Sequence, residues 1–177
     1  MSGIKYKPKS KFELEMLLEI LITERGYNAD LNDIDTNSIT DMSDLFSYSD
    51  FNGNISEWNV SNVKDMSYMF ANSKFSGDIS KWNVSNVKDM SYMFNGSNFN
   101  NDISNWNVSN VKDMSYMFNG SNFNNDISNW DVSKVEDMRY IFYCSNYTCD
   151  ISEWNISNII DINFVFTAHF LKRIYQW

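Results

Sequence analysis

Histidine is almost missing from this chain: His169 is the only one in 177 residues. With it goes most imidazole chemistry, whether a general base poised near neutral pH or a nitrogen ligand set for zinc. His169 also falls in the most degenerate part of the sequence, where it reads as a residue of a terminal cap. Cysteine is nearly as scarce. Cys144 and Cys149, five positions apart, are too few for a disulfide framework and read as two small thiols. There is no Gly-rich phosphate loop, no Gly-x-Ser-x-Gly elbow and no Cys/His metal spacing. From these absences we expect no enzyme, no catalytic residue, no cofactor and no metal.

Basic residues are in deficit. Fourteen Lys and Arg face twenty-three Asp and Glu, a formal net charge of -9. That balance argues against direct nucleic-acid binding, which needs a basic patch. It suits another protein with a basic surface. Long apolar runs are lacking too. The stretch 16–22 is too short and too acidic to span a bilayer, and no apolar signal-peptide core follows the basic start. The chain as given is therefore expected to be cytoplasmic, away from membranes and monomeric. An apolar fraction of 43% is enough to form a core.

What the sequence has in abundance is repetition. Trp58, Trp82, Trp106, Trp130 and Trp154 recur every 24 residues, and residues 83–106 and 107–130 are identical. A fixed period of this length marks a stacked-repeat architecture. In one copy the apolar register reads Trp82, Val84, Val87, Met90, Met93, Phe94, Phe99 and Ile103. It begins without Trp at Ile34 and continues, worn, past Trp154. Within a unit, Trp82 and Val84 alternate with Lys81 and Asn83 as a strand would. Val87, Met90, Met93 and Phe94 are spaced helically, and Asn86 followed by Asp89 reads as an N-cap pair. Asn95 to Asn98 turn the chain.

The predicted fold is an α/β solenoid: a leucine-rich-repeat-like right-handed superhelix of about six coils, each a short parallel strand plus a short helix. Residues 1–33 form a basic segment and capping helix, 34–163 the repeats, and 164–177 a C-terminal cap. The capping helix is expected over 10–26, with Ser10 and Glu13 as its capping box. Phe12, Leu14, Leu17, Leu18, Leu21 and Ile22 make its apolar face, and Gly26 its stop.

The phrase Trp-Asn-Val-Ser-Asn-Val-Lys-Asp-Met-Ser-Tyr-Met-Phe, followed by Phe-Asn-x-Asp-Ile-Ser, resembles the BspA-like bacterial surface-protein repeat family, a variant leucine-rich repeat. The resemblance spans about 31–163. It implies an adhesin or interaction module at a cell surface.

The outward strand positions are the expected partner-binding face. On one side of each Trp stand Glu57, Lys81, Asn105, Asn129 and Glu153; on the other stand Asn59, Asn83, Asn107, Asp131 and Asn155. An Asn ladder bonded only to itself and to water is the alternative. The fifth unit varies most and adds Arg139 and Tyr143 as contacts. Two Asp ladders, one through Asp41, Asp65, Asp89, Asp113, Asp137 and Asp161 and one through Asp78, Asp102, Asp126 and Asp150, raise structural calcium. Helix N-terminal acids are the competing account of the first ladder. The leading function is a non-enzymatic protein-binding module. The alternative is a small acidic inhibitor of a nucleic-acid-handling enzyme, of the phage or mobile-element anti-CRISPR type, occupying a basic surface.

Overall fold

A computed structural model describes residues 3–160 of the chain. The C-terminal cap expected over 164–177, with His169, and the last acid of the first ladder, Asp161, lie outside the described residues.

The chain begins with a short extended segment whose Tyr6 forms a parallel bridge with Ile34. Helix α1, Lys11–Arg25, follows. Its first turn is closed by Ser10, whose Oγ accepts from the Glu13 N–H at 3.2 Å, while Glu13 accepts from the Lys9 N–H at 2.8 Å. The first bond satisfies an N–H that a helix start otherwise leaves unpaired; the second falls on the residue before the cap rather than on Ser10 itself, so the reciprocal half of the expected capping box is displaced by one residue. Gly26, at φ 86°, ends the helix and donates to the Ile22 carbonyl. Leu14, Leu18 and Leu21 are buried against the first coil, and Leu17 and Ile22 pack beside them. Phe12 does not join them: it is 70% exposed. At about 100° per residue it is turned by roughly half a circle from Leu21. Arg25 clamps the helix end to the coils through a two-pronged ion pair with Asp33 at 2.9 and 3.0 Å, which holds the Asp33 carboxyl below its usual range.

Beyond the helix, each 24-residue unit lies on the previous one. Parallel bridges join Asp41 to Asp65, Asp65 to Asp89, Asp89 to Asp113 and Asp113 to Asp137. Among the described residues α1 is the only helix, and each bridge is isolated rather than part of a continuous strand. The segment expected to be helical shows why. In a helix every N–H would turn back to its own chain. Here alternate N–H groups leave the coil: Met90, Tyr92, Phe94 and Gly96 donate to the carbonyls of Asp113, Ser115, Met117 and Asn119 at 2.7–2.9 Å. The intervening Met93, Asn95 and Ser97 close tight turns onto Met90, Tyr92 and Phe94. This alternation needs left-handed backbone at two places per coil. Tyr68, Tyr92, Tyr116 and Tyr140 all sit at φ 58°, and Asn72, Gly96, Gly120 and Cys144 at φ 52–63°. A lone left-handed residue is costly outside glycine; here the bonds to the next coil hold it.

The Trp segment is likewise a run of turns. Trp82 donates its N–H to Ile79, and Val87 to Val84. Inside the column the aromatic rings stack along the axis. Phe46, Phe70, Phe94, Phe118 and Phe142 stack with centroids 5.6–5.8 Å apart. Phe51, Phe75, Phe99, Phe123 and Tyr147 form a second file at 6.2–6.4 Å. Each described Trp is buried, and its indole N–H reaches back to the preceding coil: Trp58 to Leu31, Trp82 to Ile55, Trp106 to Ile79, Trp130 to Ile103 and Trp154 to Ile127, all at 3.0–3.2 Å.

Candidate functional site

The polar residues of the coil have structural duties that decide which of them are available to a partner. Four side chains per coil cap a turn. In the third unit, Asp78 accepts from the Ser80 N–H, Asn83 from Ser85, Asp89 from Ser91, and the Ser97 hydroxyl from Phe99. The pattern is an Asx or Ser side chain bonding its own backbone two residues on. It recurs in the neighbouring coils at Asp102, Asn107 and Asp113. Accepting an N–H stabilises a carboxylate, and the Asp78, Asp102, Asp126 and Asp131 carboxyls are all held below their usual range by the serine two residues on.

This places the expected binding positions in two groups. Asn59, Asn83, Asn107, Asp131 and Asn155 are exposed, yet each spends one oxygen on the turn to Ser61, Ser85, Ser109, Ser133 or Ser157. Asn59 also donates to Asn37. Glu57, Lys81, Asn105, Asn129 and Glu153 are exposed as well, and none of them caps a turn in its own coil. They form the variable file of the surface, one residue per coil at a fixed register. Arg139 and Tyr143 belong to the other segment of the fifth coil. Arg139 is drawn onto Asp137 by bonds of 2.6–3.0 Å. Tyr143 packs edge-on against Tyr140 with centroids 5.3 Å apart.

That second segment carries a feature the sequence reading missed. Tyr68, Tyr92, Tyr116 and Tyr140 stack at 4.4–4.8 Å as a half-exposed aromatic rail. Burial and the flanking phenols push the Tyr92 hydroxyl up to about 12. The signal was a tyrosine at a constant register position; its left-handed backbone was what hid the rail.

The helix N-cap pair dissolves into two devices. Asn62, Asn86, Asn110 and Asn158 each donate a side-chain N–H to a carbonyl of the coil before. In the fifth unit Lys134 takes that position and reaches Asn110 Oδ1 at 2.8 Å. The acids of the bridge ladder differ along the column. Burial pushes Asp41 up, but hydrogen bonds from Ser43 and the nearby Lys11 bring it below its usual range. Burial likewise opposes, and Arg139 wins, at Asp137. Asp113, between them, is raised: burial outweighs Ser115, and Asp89 and Asp137 add to it. Among the described residues, no three His, Cys, Asp or Glu side chains converge to hold a metal ion.

Among the described residues no helix is long and apolar enough to cross a membrane. A family described as a Mycoplasma protein of unknown function, DUF285, matches the chain twice, over residues 16–119 and over 75–177. No curated protein and no solved structure matches it.

Proposed function

The chain belongs to the DUF285 family, and we propose that it is a non-enzymatic protein-binding solenoid, a variant of the leucine-rich-repeat design similar to the BspA-like repeats. Its partner is a protein with a basic surface. The observation that carries this reading is the file Glu57, Lys81, Asn105, Asn129 and Glu153. These exposed side chains stand at one register on successive coils, while the positions around them are bound into turns. A regular file of side chains with changing charge is the kind of extended surface that stacked repeats use for partners. Asp131 is exposed too and adds a negative charge to the late coils.

The test is capture from a lysate and from host matrix proteins with the wild-type chain and with Glu57→Lys/Glu153→Lys, two positions that cap no turn. Loss of a specific captured protein with an unchanged melting curve supports the reading; an identical set of captured proteins removes it. The net charge of -9 favours a second reading, an acidic inhibitor that occupies the basic channel of a nucleic-acid-handling enzyme. Inhibition of such an enzyme that fades with added salt would select it.

A further inference from the structure

The N-terminal cap has two faces, and only one of them is used by the coils. Leu14, Leu18 and Leu21 anchor α1 from within. On its outer side Phe12, Met16 and Ile20 are 70%, 46% and 49% exposed. They follow one another at every fourth residue, so they form a single ridge about 12 Å long. A cap that served only to seal the column would carry polar side chains there. The ridge is flanked by acids on both sides: Glu15 and Glu19 along one edge, Glu13 and Glu24 along the other, all exposed. Glu13 is tied to the helix start and Glu15 lies 3.9 Å from Lys11.

We propose that this outer face of α1 is a docking surface for an amphipathic helix whose apolar ridge is flanked by Lys or Arg. The charge pattern selects that occupant. An anionic lipid surface would meet four carboxylates. A second copy of the same face would set Glu15 and Glu19 against their own images. A basic amphipathic helix instead pairs its cations with both acidic edges while its apolar side chains cover Phe12, Met16 and Ile20. Because α1 is already folded and anchored, this face needs no ordering step before it binds. The surface is separate from the file of residues beside the Trp positions.

The experiment uses the full chain and a fluorescently labelled peptide of about 18 residues, with Leu at helical i, i+4 spacing and Lys along both edges. Binding is read by anisotropy for the wild type, for Met16→Gln/Ile20→Gln, for Glu15→Gln/Glu19→Gln and for Glu57→Gln/Glu153→Gln. Circular dichroism melts confirm that these surface changes leave the fold intact. The expected result is a loss of about tenfold or more in affinity for each α1 pair, with the Glu57/Glu153 pair within about twofold of wild type. Equal weakening by the Glu57/Glu153 pair would reduce the effect to diffuse charge attraction and overturn the proposal. So would wild-type affinity in either α1 pair, self-association of the chain that Met16→Gln/Ile20→Gln abolishes, or adsorption to phosphatidylglycerol vesicles that the same pair abolishes. Because the control pair lies in the file proposed above, loss of that file's partner with peptide binding retained separates the two surfaces.

Discussion

The third and fourth coils and the fifth coil are built on one plan, but they satisfy it differently. In the identical blocks 83–106 and 107–130 the inward file is phenylalanine, the inter-coil donor is asparagine, and the left-handed position is glycine at Gly96 and Gly120. In the fifth coil each of these has changed. Tyr147 stands where Phe99 and Phe123 stand, and its buried hydroxyl has no well-formed hydrogen bond among the described residues. Cys144 takes the left-handed position at φ 54°. Lys134 replaces the bridging asparagine, and Arg139 replaces the serine that serves Asp89 and Asp113. Regular coils are thus held by neutral amide and serine contacts, and the fifth by contacts of the same length made by charged Lys134 and Arg139. The lesson is that the fifth coil keeps the same bonding positions while changing the side chains that fill them.

The sharpest way to break this comparison is to remove a tryptophan from each region. Trp106→Ala should cost about 3–5 kcal/mol as a core truncation, and it also strips the Ile79 carbonyl of its indole donor. Trp154, 7% exposed against 3% for Trp106, should cost less. Urea unfolding midpoints for both variants decide it, and equal losses would erase the distinction between the regions. The next largest effect has the opposite sign. Tyr147→Phe restores the side chain of the regular coils and removes a buried hydroxyl without a well-formed hydrogen bond, so it should stabilise the chain by about 1–2 kcal/mol.

The two acids Asp113 and Asp137 sharpen the contrast through pH. Asp113 has a raised folded-state value, so the native state holds its proton more tightly than the unfolded chain does. Its ionised form subtracts from stability above that value, and the penalty fades as pH falls through it. Asp137 is lowered, so its contribution is present above the unfolded carboxylate value and is lost as pH falls through the folded one. At neutral pH, Asp113→Asn should therefore raise the melting temperature. Asp137→Asn should lower it, by less than about 1 kcal/mol in stability because the pair with Arg139 is half exposed. Both differences should shrink in melts run towards acid. The smallest expected effect concerns calcium. Because a serine serves each acid of the regular coils, a chelator should leave the melting curve of the wild type and of Asp113→Asn unmoved. A drop on chelation in the wild type alone would place an ion on the ladder.

Much of the packing could be read from the sequence, because burial needs only the right spacing. Trp82, Val84, Val87, Met90, Met93, Phe94, Phe99 and Ile103 are all buried, as their register required. Ser10, Glu13 and Gly26 bound α1 as their chemistry dictates. Backbone conformation was less legible. A spacing of three, three and one fits a helical turn, but it also fits successive tight turns with left-handed residues between them. No glycine at Tyr68, Tyr92 or Tyr116 announced the second solution. The roles of Asn and Asp were visible only as a recurrent Asx-x-Ser, as in Asp78 to Ser80 and Asn83 to Ser85. Spacing alone does not say that this motif is a turn rather than a binding surface. Phe12 was assigned to the apolar face of the helix by its type, and the helical wheel places it outside.

The backward reach of each indole has a consequence for how this chain can change length. Each of the five described Trp, from Trp58 to Trp154, is served by a carbonyl 27 positions earlier, one full coil plus three residues. Excising a whole block such as 83–106 gives every remaining indole an equivalent acceptor and every ring an equivalent neighbour. A cut of any other size breaks the column at the junction. Two identical neighbouring blocks are also ready substrates for unequal genetic exchange. The molecule can therefore be lengthened or shortened only in steps of one coil, and its reach behaves as a counted quantity rather than a continuous one.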